Sequence, residues 1–146
     1  MSQFIDAVLT NEDIEECREA INILKAKLPF LINISPRKKQ SIPKLSDNRI
    51  GFVREVMSCA KLEPKIVPAY VHMDEVEQST ELFLKLSKLD RELIRLAESV
   101  NDTRAVVGSH SYLNSLYVYD SAKVAAKTDK INGIDTLVNN MKKHFM

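Results

Sequence analysis

The sequence predicts an all-α protein: a four-helix bundle of the up-down type with one long connection between its first two helices, a short fifth helix at the C-terminus and a short extended arm at the N-terminus. Three observations predict it. Apolar residues recur at alternating spacings of three and four in successive segments, the period of a helix face. After residue 9 no run alternates apolar and polar in the manner of a half-buried strand. Only three glycines stand in 146 residues, against about 7% in average usage, which disfavours a Gly-rich all-β domain, a collagen-like chain or a flexible linker protein.

Residues 1–10 read as the arm, and Thr10-Asn11 offers a helix N-cap with Glu12 and Asp13 in the first turn. A first helix follows over 11–28, with Ile14, Cys17, Ile21, Leu24 and Leu28 as its apolar line. Pro29 ends it, and Phe30-Leu31 is expected to fold back as a hydrophobic plug. In the long connection, Ser35-Pro36 is a cap followed by proline at the first helical position, so Arg37–Gln40 can form one turn before Pro43. Ser46-Asp47 caps a second helix, 47–62, carrying Ile50, Val53, Met57 and Ala60. Pro64 and Pro68 make 63–72 an extended linker.

The third helix, 74–100, has a stripe of Val76, Phe83, Leu86, Leu93, Leu96, Ala97 and Val100, widened by Leu82 and Leu89. Asp90 interrupts that stripe. Asn101-Asp102-Thr103 reads as a turn into a fourth helix, 103–127, on which Ala105, Ser109, Tyr112, Leu116, Tyr119 and Lys123 fall on one line. A polar loop at 129–133 leads to the last helix, 134–145, with Ile134, Leu137, Val138, Met141 and Phe145 on one face. These elements form a single domain of 1–146, the size of one ordinary core.

Hydrophobic residues at 45% and charged residues at 28% are ordinary for a soluble globular chain. The first residues lack the basic start of a secretory signal. No apolar run approaches the roughly 20 residues that span a bilayer, and the longest, Leu28 to Ile34, is broken by Pro29 and Asn33. A cytoplasmic location is expected. Cys17 and Cys59, without a Cys-x-x-Cys pair, read as buried small hydrophobes, with a redox or nucleophilic role as the alternative.

The chemistry-bearing patterns are sparse. No helix carries Glu-x-x-His, so a di-iron bundle is disfavoured. His72-x-x-Glu75 straddles a helix start, where Glu75 complements the dipole better than it ligates a metal. Glycines at 51, 108 and 133 cannot build a phosphate cradle, and Gly108-Ser109-His110-Ser111 is no nucleophile elbow. Gly108 within a helical pattern suggests a close helix–helix contact that a Cβ would block, or an opening for a ligand. No catalytic residue, cofactor or metal is assigned. Tyr112 and Tyr119, one heptad apart, read first as core packing with their hydroxyls at the bundle rim, and a ligand pocket lined by Asp90, Tyr112 and Tyr119 is the alternative.

Charge falls in blocks, −3 over 1–30, +5 over 31–65, −4 over 66–102 and +3 over 103–146, within a net +1. Arg37, Lys38, Lys39, Lys44 and Arg49 form the basic surface of the second block, a candidate interaction face. Nucleic acid is disfavoured as its partner, because no aromatic residue interleaves it and 63–72 is too long for a helix-turn-helix. Pairing between acidic and basic helix faces or subunits is the simpler reading.

Leu28-Pro29-Phe30-Leu31, Pro36, Pro43-Lys44-x-x-Asp47, Val67-Pro68-x-Tyr70, Asp102-Thr103 and Gly108-Ser109-x-x-Tyr112, followed by Ala125-Ala126-Lys127, resemble a family of uncharacterised bacterial helical proteins. The likeness spans residues 11–145, with His110 where an acid is usual and Thr128-Asp129 where Ala-Gly is usual. It implies a bacterial, cytosolic helical bundle, supplies no catalytic residue, and suggests roles for 29–47 and 102–112 beyond filling helices. The expected function is therefore non-enzymatic, through protein contacts or self-association, with a dimer as the first expectation and no membrane partner. A small-ligand protein or an enzyme with its site near Tyr112 and Tyr119 is the alternative. Nucleic-acid binding through 37–54 is the second.

Overall fold

The structure is a computed structural model, and it describes residues 3–128 and 131–145. The fold is all-α. Residues 1–2 of the expected arm and residues 129–130 of the expected polar loop lie outside the described residues.

Helix α1, Asn11–Lys27, begins where Thr10 stands as N-cap, its Oγ1 accepting from the Asp13 N–H at 3.0 Å. It ends at Leu28, whose N–H still donates to the Leu24 carbonyl, and Pro29 follows. Helix α2, Pro36–Ser41, is the short turn that Ser35-Pro36 announces: the Ser35 hydroxyl accepts from the Lys38 N–H at 3.1 Å. Helix α3, Asp47–Leu62, starts at Ser46, whose side chain makes no cap bond. The linker to the next helix contains a 3-10 turn, Pro64–Ile66, where Glu63 accepts from the Lys65 N–H at 3.3 Å.

Helix α4, Met73–Thr128, is 56 residues long and corrects the expected division into helices 74–100 and 103–127. No turn forms at Asn101-Asp102-Thr103, which are helical throughout. These residues are weak helix formers, costing about 0.5 kcal/mol each against Ala, and none has the steric veto of proline. Thr103 turns its hydroxyl back onto the Ser99 carbonyl at 2.7 Å, so it is satisfied within the helix instead of capping a new one. Thr80 on Val76, Ser87 on Phe83 and Ser115 on Ser111 do the same. Helix α5, Ile134–Lys142, and a 3-10 turn, Lys143–Phe145, complete the chain. Gly133 enters α5 at φ +77°, a left-handed conformation that favours glycine.

The chain divides into two compact units, with the boundary inside α4 between Arg91 and Glu92. In the unit from Leu9 to Arg91, the Val53, Met57 and Ala60 side of α3 and the Met73, Val76, Thr80 and Phe83 side of α4 border the same cavities. Ala60 and Thr80 are buried there. The other unit joins residues up to Val8 with Glu92 onward. Phe4 of its extended arm lies against His110, ring centroids 5.2 Å apart. Ile134 of α5 is buried, with Val138 and Met141 half-buried on the same face.

Three expectations about the interior are corrected. Cys17 is exposed and Cys59 only half-buried, so neither is a fully buried thiol. Phe30 and Leu31 are exposed and plug nothing. A Cβ built on Gly108 meets no atom within 4 Å, so no close helix contact requires that glycine within the chain.

Candidate functional site

Two concave sites have enough chemistry to be weighed. The larger, a cleft of about 650 Å³, opens between the start of α4, the extended residues before it, and α3. Proline makes it. Pro64 and Pro68 hold residues 67–72 out of helical conformation, and a turn closed by the Val71 N–H on the Pro68 carbonyl brings Tyr70, Val71 and His72 to the cleft wall. Val53 of α3 and Val76 and Phe83 of α4 form its apolar lining. His72 and Glu75 also line it, joined through the backbone by the Glu75 N–H donating to the His72 carbonyl at 3.0 Å. Thr80 also faces the cleft, but its hydroxyl donates to the Val76 carbonyl at 2.7 Å.

In volume the cleft falls inside the range of small-molecule sites. Its apolar lining with one imidazole and one carboxylate suits an apolar group carrying a polar end. His72 and Glu75 are only two groups. Among the described residues no three His, Cys, Asp or Glu come together in a way that could hold a metal ion. Sequence reasoning noted the His72-x-x-Glu75 spacing and missed the cleft, for which the signal was Val67-Pro68 followed by Tyr70-Val71: a proline-stiffened apolar run set just before a helix start.

The smaller site is a cavity of about 180 Å³ where α4 meets α5 and the last turn, lined by Tyr112, Leu116, Tyr119, Met141, His144 and Phe145. Tyr112 and Tyr119, one heptad apart, both line it. Asp90, the third residue of the expected trio, does not line it. With no turn at 101–103, Asp90 stands 22 positions before Tyr112 on one continuous helix, and it is exposed. Tyr119 is engaged on both sides, by Phe145 at 5.4 Å between ring centroids and by Lys123 Nζ at 4.7 Å over its ring. At this size the cavity is below the roughly 300 Å³ of ordinary ligand pockets.

Arg37, Lys38 and Lys39 are exposed on α2, and Arg49 is exposed in the first turn of α3. Lys44 is also exposed, and it folds back on the end of α2: its Nζ donates to the Lys39 carbonyl, and to the Ile42 carbonyl at 2.7 Å. It caps the open end of α2, where unpaired carbonyls concentrate negative potential. All five basic residues are therefore exposed, with Lys44 also serving as a cap.

No protein family model, no curated protein and no solved structure matches the chain. Function therefore rests on the surfaces themselves. Among the described residues no helix is long and apolar enough to cross a membrane. The largest unexplained feature is instead apolar surface in ordered lines. Ile14 and Ile21 on α1, and Leu93, Leu96 and Val100 on α4, are all exposed.

Proposed function

We propose that this chain is a cytoplasmic, non-enzymatic helical protein that works through protein contacts, first of all with a second copy of itself. One observation carries the reading: helix faces that periodicity marks as core are open to water. Ile21 is 51% exposed, Leu96 63% and Val100 60%. Single exposed aliphatics are ordinary on a monomer, whereas contiguous apolar lines mark docking surfaces. Fully burying one Leu, Ile or Val is worth about 1.5–3 kcal/mol, so an extended line of such residues, and not one or two, is needed to offset the roughly 4–15 kcal/mol cost of bringing two chains together. Helices from two copies, packed side by side, then supply the bundle core that one chain leaves open. Acidic and basic blocks of nearly cancelling charge supply a polar rim for such a contact. Size-exclusion chromatography with light scattering tests this. The expected mass is twice the 16.6 kDa of one chain; a mass of one chain at high protein concentration overturns it.

A further inference from the structure

The continuous helix α4 carries a second apolar line that its own chain covers only in part, least at Leu96 and Val100. Leu82, Leu86, Leu89, Leu93, Leu96 and Val100 follow one another at spacings of four, three, four, three and four. This is an unbroken run of a and d positions, with Leu86, Leu93 and Val100 at a and Leu82, Leu89 and Leu96 at d. Thr80, the buried residue of α4, lies nine residues before Leu89, two and a half turns at 3.6 residues per turn. The leucine line is thus on the side of α4 opposite to the one that faces α3. Leu82 and Leu93 are each 38% exposed, Leu86 and Leu89 are half-buried, and Leu96 and Val100 are open.

The geometry points to a parallel, in-register two-stranded coiled coil between the α4 helices of two copies. This rests on the self-association proposed above and specifies its surface and direction. Charge decides the direction. Lys85 occupies the g position before Leu86, and Asp90 the e position after Leu89. In a parallel pair each g residue faces the e residue of the partner's next heptad, so Lys85 of each copy meets Asp90 of the other, twice per dimer. An antiparallel pair that buries the same six residues is centred on Arg91. It sets the two copies of Asp90 against each other, and likewise the two copies of Glu92, giving two repulsions in place of two attractions. Lys85 also pairs with Glu81 along its own helix at 3.0 Å, but both side chains are mostly exposed and the link leaves Lys85 able to reach across. Val100 at a with Leu96 at d is a pairing that favours two strands.

The test uses the full chain with Cys17→Ser and Cys59→Ser, into which Leu96→Cys is introduced. In the parallel register the two introduced thiols face each other, and mild oxidation is expected to convert most of the dimer into a covalent dimer. A second pair of variants keeps the native seam. Lys85→Asp is expected to raise the dimer dissociation constant about tenfold, by replacing two attractions with two repulsions, and adding Asp90→Lys is expected to restore it to within about twofold. A non-covalent dimer that neither cross-links in the Leu96→Cys variant nor responds to charge reversal overturns this seam while leaving self-association standing. A chain that stays monomeric overturns both.

Discussion

Tyr119 and Phe145 meet with ring centroids 5.4 Å apart and planes tilted by 34°. That contact ties the final turn of the chain back to α4 and, through it, holds α5 over the 180 Å³ cavity. Phe145 is exposed, so its burial contributes little, and the ring pairing itself adds about 0.5–1.5 kcal/mol. Phe145→Ala is expected to accelerate amide hydrogen exchange across α5 by about two- to tenfold, while amides near Thr80 keep their protection. Unchanged protection in α5 would show that Ile134, Val138 and Met141 hold it without the aromatic contact.

The glycines separate into two kinds. Gly51 and Gly108 lie inside α3 and α4, and an added Cβ has open space at both. Replacing either with alanine restrains the unfolded chain and fits the helix, for a gain of about 0.8–1 kcal/mol. Gly133 also has space, but at φ +77° a Cβ costs about 1–2 kcal/mol. Thermal unfolding should therefore rise by about 3–5 °C in Gly108→Ala and fall in Gly133→Ala. A fall in Gly108→Ala would mean that another chain approaches that backbone.

Local punctuation was legible in the sequence because it is local chemistry. Thr10 and Ser35-Pro36 mark helix starts through hydroxyl and proline geometry, and both act as expected. The Asn101-Asp102-Thr103 break was misleading for the same reason. These residues favour turns when their side chains bond to nearby backbone, and Thr103 bonds instead to the Ser99 carbonyl inside the helix. With that difference Asp90 and Tyr112 stand on one continuous helix, and Asp90 does not line the cavity that Tyr112 and Tyr119 share. Periodicity showed which side of α1 and α4 is apolar, but not what covers it: Ile21 and Leu96 belong to apolar lines and remain open. Concavity was the least legible feature. The cleft at His72 and Glu75 depends on how a proline-stiffened segment meets α3, a non-local fact that spacing does not carry.

Lys44 tests the basic segment. Its ammonium bonds to the carbonyls of Lys39 and Ile42, so Lys44→Ala removes a cap from α2. The expected cost is about 0.5 kcal/mol or less, since the group is exposed and the helix short. Arg37→Ala with Lys38→Ala leaves that cap in place and removes two outward charges. If the segment grips an acidic surface, the double variant should lose retention on a cation-exchange or heparin column, while Lys44→Ala should lose much less. Equal losses would show that Lys44 contributes to the binding surface as well as to the cap.

The thiols give a direct reading of packing on α1 and α3. Cys17 is exposed on α1. Cys59 is half-buried on α3, its Sγ donating to Glu55 Oε1 at 3.6 Å, next to the buried Ala60. Reaction with a water-soluble disulfide reagent requires the attacking sulfur to reach solvent, so access alone separates the two. In dilute native protein, Cys17 should react about tenfold faster than Cys59, and Cys17→Ser should abolish the fast phase. Raising protein concentration adds a second reading. Cys17 lies on the same line as the exposed Ile14 and Ile21. If the α1 face is also covered on self-association, its reaction slows as the dimer forms. If only α4 is covered, the rate of Cys17 stays constant while light scattering reports the dimer.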